Sequence, residues 1–161
     1  MSWTAYPVSG LMVALAVAAQ NTWAGWLLLM GRAPDLPLAT VVAVGLGGGP
    51  VIGCFAGLVA GLLTASSQSA MFGSFLITYM TVGILVGLMR GSVFADRVLA
   101  AMIIVAVAVP ASDVVRMIVA PPEVAHPWLL ASIMAGPYTG LAAAPIYIVA
   151  HAVIRIVSPE Q

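Results

Sequence analysis

The chain has 161 residues; 63% are hydrophobic and only 6% charged, with five basic and five acidic side chains, no lysine and no net charge. A soluble domain carries about 25% charged residues. With a mean hydropathy of +1.15, the composition excludes an ordinary soluble domain and fits one integral membrane domain over residues 1–161. Balanced charge without a basic tract gives no nucleic-acid interface. A lone cysteine, Cys54, excludes an internal disulfide and reads as a small packing residue.

The first predicted span runs from about Tyr6 to Met30, with Trp3 and Tyr6 at one interface and Trp23 and Trp26 at the other. Ala16-Val17-Ala18 resembles a signal-peptidase site. No positive charge precedes it, and the apolar stretch resumes through Met30, so the segment reads as a span. Ala14 and Ala18 form a small-residue face, and Gln20 and Asn21 are polar groups that need protein or water partners.

Gly31 to Asp35 is a turn, and Asp35 is placed to cap the next helix. Span two, Leu36 to about Leu46, is short of the roughly 20 residues that a crossing needs. Gly47-Gly48-Gly49-Pro50 breaks it, and span three is Val51 to about Thr64. The alternative is one bent helix from Leu36 to Leu63, which leaves five spans and puts the termini on opposite sides.

Ala65 to Ser69 is a polar loop, and span four covers Met71 to Met89. Span five runs from about Val98 to Ala120 with a kink expected at Pro110. Residues Pro121 to Pro127 form a loop, and span six covers about Leu129 to Val157, bent at Pro137 and Pro145. The expected fold is therefore all-α: a polytopic membrane bundle of six transmembrane helices with short second and third spans. With six spans, Arg90, Arg97 and Arg155 fall on one side, which the positive-inside rule makes cytoplasmic together with both termini. Arg32 and Arg116 fall on the other side against that rule.

Two glycine ladders lie in these spans: Gly53, Gly57, Gly61 and Gly83, Gly87, Gly91. Every fourth residue falls on nearly the same helix face. In lipid such a stripe lets another backbone approach closely, so the ladders are candidate surfaces for internal packing or for a partner helix. Asp113 and Arg116, at i and i+3, share a face and can pair. Ionisable groups inside a span are functional candidates by default, although a structural pair at the outer bilayer level explains these two as well. His126 is expected in a solvated loop and His151 at the inner interface. No metal-ligand cluster, cofactor motif, or nucleophile–base set stands out, so no catalytic, cofactor or metal residues are expected.

Ala19-Gln20 closing the first span, the Pro34-Asp35-Leu36 turn, the Gly-rich break, the Gly53/Gly57/Gly61 helix ending in Gly-Leu-Leu, and the Gly73–Gly87 helix with Tyr79 together resemble the rod-shape-determining protein MreD family over about Ala19 to Gly91. Members commonly carry an acid in a Gly-Leu-Leu-x-Asp pattern, whereas Thr64-Ala65-Ser66-Ser67 follows Leu63 here. The resemblance implies a non-enzymatic scaffold in the bacterial cytoplasmic membrane. It implies binding to MreC, and through it to MreB, RodA and a penicillin-binding transpeptidase, with a role in rod shape and peptidoglycan synthesis. It also implies a fold similar to the substrate-binding subunits of energy-coupling-factor transporters. Gly53, Gly57, Gly61, Gly83, Gly87, Gly91, Asp35, Asp113 and Arg116 are then the candidate interface residues. The alternative is a substrate-capture subunit of a vitamin or metal uptake system, lined by Gln20, Asn21, Ser66, Gln68, Tyr138 and Asp113.

Overall fold

A computed structural model describes residues 3–23, 25, 26, 28, 32–66, 72–91, 97–119 and 125–157. These contain six helices and no strand: α1 (Ala5–Trp23), α2 (Leu36–Gly48), α3 (Pro50–Ser66), α4 (Phe72–Met89), α5 (Arg97–Val119) and α6 (Ala125–Val157). Two stretches, Val98–Ile118 and Leu130–Ile156, are long and apolar enough to cross a membrane; α2, α3 and most of α4 are shorter apolar helices. α1 ends at Trp23, before the expected Met30, and leaves Trp26 exposed beyond it. α6 starts at Ala125, so His126 and Pro127 belong to its first turn, where proline's missing N–H is harmless. The side chain of His126, Glu123 and Gln68 lie outside the described residues.

α2 and α3 are separate helices that fold back on each other. Gly49 between them has φ 88°, a conformation that favours glycine. Its N–H donates to the Gly45 carbonyl at 2.8 Å and its carbonyl accepts from Gly53 at 2.9 Å, so both helix ends are satisfied through one residue. A continuous helix would hold Gly45 and Gly53 about 12 Å apart. Here a Cβ added to Gly53 would stand 3.1 Å from the Gly45 Cα. That excludes the single bent helix over Leu36–Leu63.

α4 then packs antiparallel along α3, backbone against backbone. A Cβ at Gly61 would come within 2.7 Å of the Leu76 Cα, one at Gly57 within 2.8 Å of the Met80 Cα, and one at Gly53 within 2.9 Å of the Gly83 carbonyl carbon. Gly87 faces Pro50 in the same way. The stripes are thus filled from within the chain. Gly91 stands apart: it lies two residues beyond α4, exposed, with nothing within 4 Å of its would-be Cβ. α5 and α6 use the same device, with Gly136 against Ala106 and Gly140 against Met102. Tyr6 meets Phe55 edge-on at 5.5 Å and fixes α1 to α3.

The distribution of polarity is inverted relative to a soluble domain. Leu11, Leu15, Ile77, Leu88, Ile103, Val107, Leu141 and Ile148 are each more than half exposed. Ser9, Thr40, Ser74, Thr78, Ser112, Asp113, Ser132 and Thr139 are buried. On α1 the packed face is Ala5, Ser9, Val13 and Val17, at i, i+4 spacing; Ala18 is exposed.

Candidate functional site

The buried polar groups gather at one end of the bundle. Asp35 caps α2: its Oδ1 accepts the Leu38 N–H at 2.9 Å. Gln20 of α1 supplies a second acceptor there, its Oε1 taking the Leu36 N–H at 3.0 Å. The Asp35 N–H itself donates to the Thr139 hydroxyl of α6 at 3.2 Å, and that hydroxyl donates to the Ala135 carbonyl at 2.8 Å. A single turn is thereby tied to both the first and the last helix.

From α4, the Tyr79 hydroxyl reaches Asp35 at 3.0 Å to each carboxylate oxygen. From α5, Arg116 is shared by two acids. Its Nη1 donates to Asp113 Oδ1 at 3.0 Å, and its Nη2 lies 3.6 Å from Asp35 Oδ2. The guanidinium carbon sits 4.4 Å from the centroid of Phe75 and 5.5 Å from that of Tyr79, so an aromatic floor from α4 carries the charge. Asp113 Oδ2 accepts from Arg32 and, at 2.6 Å, from the Ser132 hydroxyl of α6. Asp113 is thus held by two cations and a hydroxyl. Isolated burial of such a carboxylate would be prohibitive.

The result is a chain of alternating charges, Arg32–Asp113–Arg116–Asp35, with no net charge. It walls a cavity of about 310 Å³ to which all six helices contribute, including Asn21 from α1 and Thr64 from α3. The cavity residues come from the C-terminal halves of α1, α3 and α5 and the N-terminal halves of α2, α4 and α6. The helices therefore alternate in direction. The start of α1 and the end of α6 lie at the opposite end, where Arg90 approaches Gly49 and Ile154 packs on Gly47.

The candidate residues from the sequence thus separate. Asp35, Asp113 and Arg116 come together in the cavity wall, while the glycines line helix contacts elsewhere. Gln20, Asn21 and Asp113 line the cavity; Ser66 and Tyr138 do not, and Thr139 beside Tyr138 does. Sequence reasoning did not single out Arg32, Ser132 or Thr139 as partners, because each meets the site across a long separation in sequence. Tyr79 was visible as part of the family resemblance, without a role. Among the described residues, no three His, Cys, Asp or Glu side chains cluster as a metal site. His151 stacks on Tyr147 at 5.7 Å, remote from the cavity.

Comparison with protein-family models, with curated proteins and with solved structures finds no match to this chain.

Proposed function

We propose that the protein is a non-enzymatic membrane scaffold of the bacterial cell-elongation machinery, of the MreD type, that binds MreC and through it the MreB, RodA and transpeptidase assembly. The observation carrying this reading is a convergence. Gln20, Asp35 and Tyr79 belong to three separate stretches of the family resemblance, and they meet around one helix start. Residues quoted for their pattern alone thus serve one structural purpose, the anchoring of the α2–α3 hairpin inside the bundle. The cavity-wall carboxylates are each engaged by an arginine and a hydroxyl, an arrangement suited to rigidity.

In this reading the chain crosses the cytoplasmic membrane six times, with both termini inside. The apolar coat of exposed leucine, isoleucine and valine supports burial in lipid. The hairpin of α2 and α3 supports two short crossings whose ends are covered by protein. The two arginines that contradict the positive-inside count, Arg32 and Arg116, are ion-paired with Asp113 and Asp35. The side with more arginines, that of Arg90, Arg97 and Arg155, sets the orientation by the positive-inside rule.

The test is affinity purification of the full chain from a rod-shaped bacterial host in mild detergent. Recovery of a single-span partner with cell-wall synthesis enzymes is the expected result. Recovery of an ATPase-linked transporter module instead replaces the scaffold reading with the uptake-subunit reading.

A further inference from the structure

We propose that the cavity beneath the Asp35 turn is a binding site for a small monocarboxylate, received by the open edge of the Arg116 guanidinium. The site is independent of the scaffold reading: a scaffold or an uptake subunit could equally carry it.

Arginine has five N–H donors in a rigid planar fork. In Arg116 the Nη1 side is taken by Asp113 at 3.0 Å. Nε and Nη2 are buried and make no hydrogen bond to the described residues; the Asp35 oxygen near Nη2 stands off at 3.6 Å. The donors left over are adjacent, on the edge that pairs side-on with a carboxylate through two parallel bonds. A buried donor without an acceptor is costly, and a charged one more so. The guanidinium cannot swing away to find one, because Phe75 and Tyr79 stack under it and Asp113 grips its far side.

The acids on the wall are in the opposite condition. Asp35 accepts from Leu38 and Tyr79, and Asp113 from Arg116, Arg32 and Ser132. Among the described wall residues the buried side-chain groups without a hydrogen bond are these two Arg116 donors and the Thr64 hydroxyl, which can donate as well, so the site selects an acceptor. The volume, about 310 Å³, is at the small end of ligand pockets. The apolar lining of Val17, Pro37, Val109 and Ala135 gives a short hydrocarbon tail somewhere to lie.

The chain has five arginines and no lysine, so the Nε–H region of a ¹⁵N spectrum of the full chain in neutral detergent is sparse. Butyrate is the probe, with butyramide, phosphate and chloride at matched ionic strength as comparisons. The expected result is a saturable downfield shift of the Arg116 Nε–H with butyrate alone. Arg116→Lys identifies the resonance; if that variant does not fold, magnetisation transfer to the Phe75 ring identifies it in the unaltered protein. Ala135→Leu fills the cavity while keeping all four charges, and should weaken butyrate binding by roughly tenfold or more. A shift of equal size with chloride, saturation by butyramide or by phosphate instead of butyrate, no shift at all, or an unchanged butyrate affinity in Ala135→Leu would each overturn the proposal.

Discussion

The Tyr79 hydroxyl stands 3.0 Å from both carboxylate oxygens of Asp35, a residue 44 positions earlier that begins a different helix. The same carboxylate caps α2 through Leu38 and faces Arg116. One side chain therefore serves as a helix cap, a hydrogen-bond acceptor and a counter-charge. Tyr79 is 1% exposed, so its hydroxyl is turned into the bundle. Tyr79→Phe should destabilise the protein by about 1.5–3 kcal/mol, the range for a hydrogen bond to a charged group. Asp35→Asn keeps a good cap and removes the charge. The double variant should lose less than the two single losses combined, because the two groups share one network. Thermal or denaturant unfolding in detergent measures all three. Strict additivity would mean that the hydroxyl and the carboxylate do not interact.

Asp113 is the least exposed of the four charges in the wall. Its side chain is 3% exposed and joins Arg32, Arg116 and Ser132. Asp113→Asn removes the carboxylate that two guanidinium groups share and should cost about 3–5 kcal/mol, the usual consequence of breaking a buried pair from one side. Arg32 is 29% exposed at its side chain. Its loss leaves Asp113 still paired with Arg116, so Arg32→Gln should cost well under half as much. Comparing the unfolding midpoints of the two variants checks the order; equal losses would show that Arg32 dominates the network.

How much of this could be read from the sequence depends on the range of each interaction. The helices were legible because apolar runs are punctuated by Gly and Pro, and the Asp35 cap because it acts within three residues. The Asp113–Arg116 pair was legible for the same reason, being one turn apart. Nothing local brings Arg32 to Asp113, 81 residues away, or Thr139 to Asp35, 104 away; those contacts follow from helix order in the bundle. The glycine ladders were visible as stripes, but a stripe does not name its occupant. The structure fills the Gly53–Gly61 stripe with α4 and leaves Gly91 outside its helix. Gly136 and Gly140 carry the same spacing in α6 and meet α5 closely, a local signal that was present and passed over.

Glycine positions should accordingly differ sharply in their tolerance of a methyl group. Gly57→Ala forces a Cβ against the Tyr79 carbonyl and Met80 backbone, and neither can move alone because both belong to α4. Overpacking of this kind costs about 1–3 kcal/mol. Gly73, in the first turn of α4, has nothing within 4 Å. Gly73→Ala should leave stability unchanged or raise it by up to about 1 kcal/mol through helix propensity. Both are measured by unfolding of single variants. A tolerated Gly57→Ala would mean that α3 and α4 are farther apart than described.

The direction of the helices makes a last, topological prediction. Six helices deliver residues to one cavity from alternating ends, so α1 starts and α6 finishes on the same face of the bundle. That face carries Arg90, which approaches the Gly49 turn, and Arg155 in the last turn of α6. The cavity end holds Arg32 and Arg116, each neutralised by an acid. A membrane-insertion machinery that responds to Lys and Arg in short loops and tails would keep the Arg90 and Arg155 face in the cytoplasm. Reporters that are active on only one side of the membrane, fused in turn before Met1 and after Gln161, should both report the cytoplasm. A third, inserted directly after Ser66, where α3 ends, should report the opposite side. Termini on opposite sides would overturn the six-crossing reading.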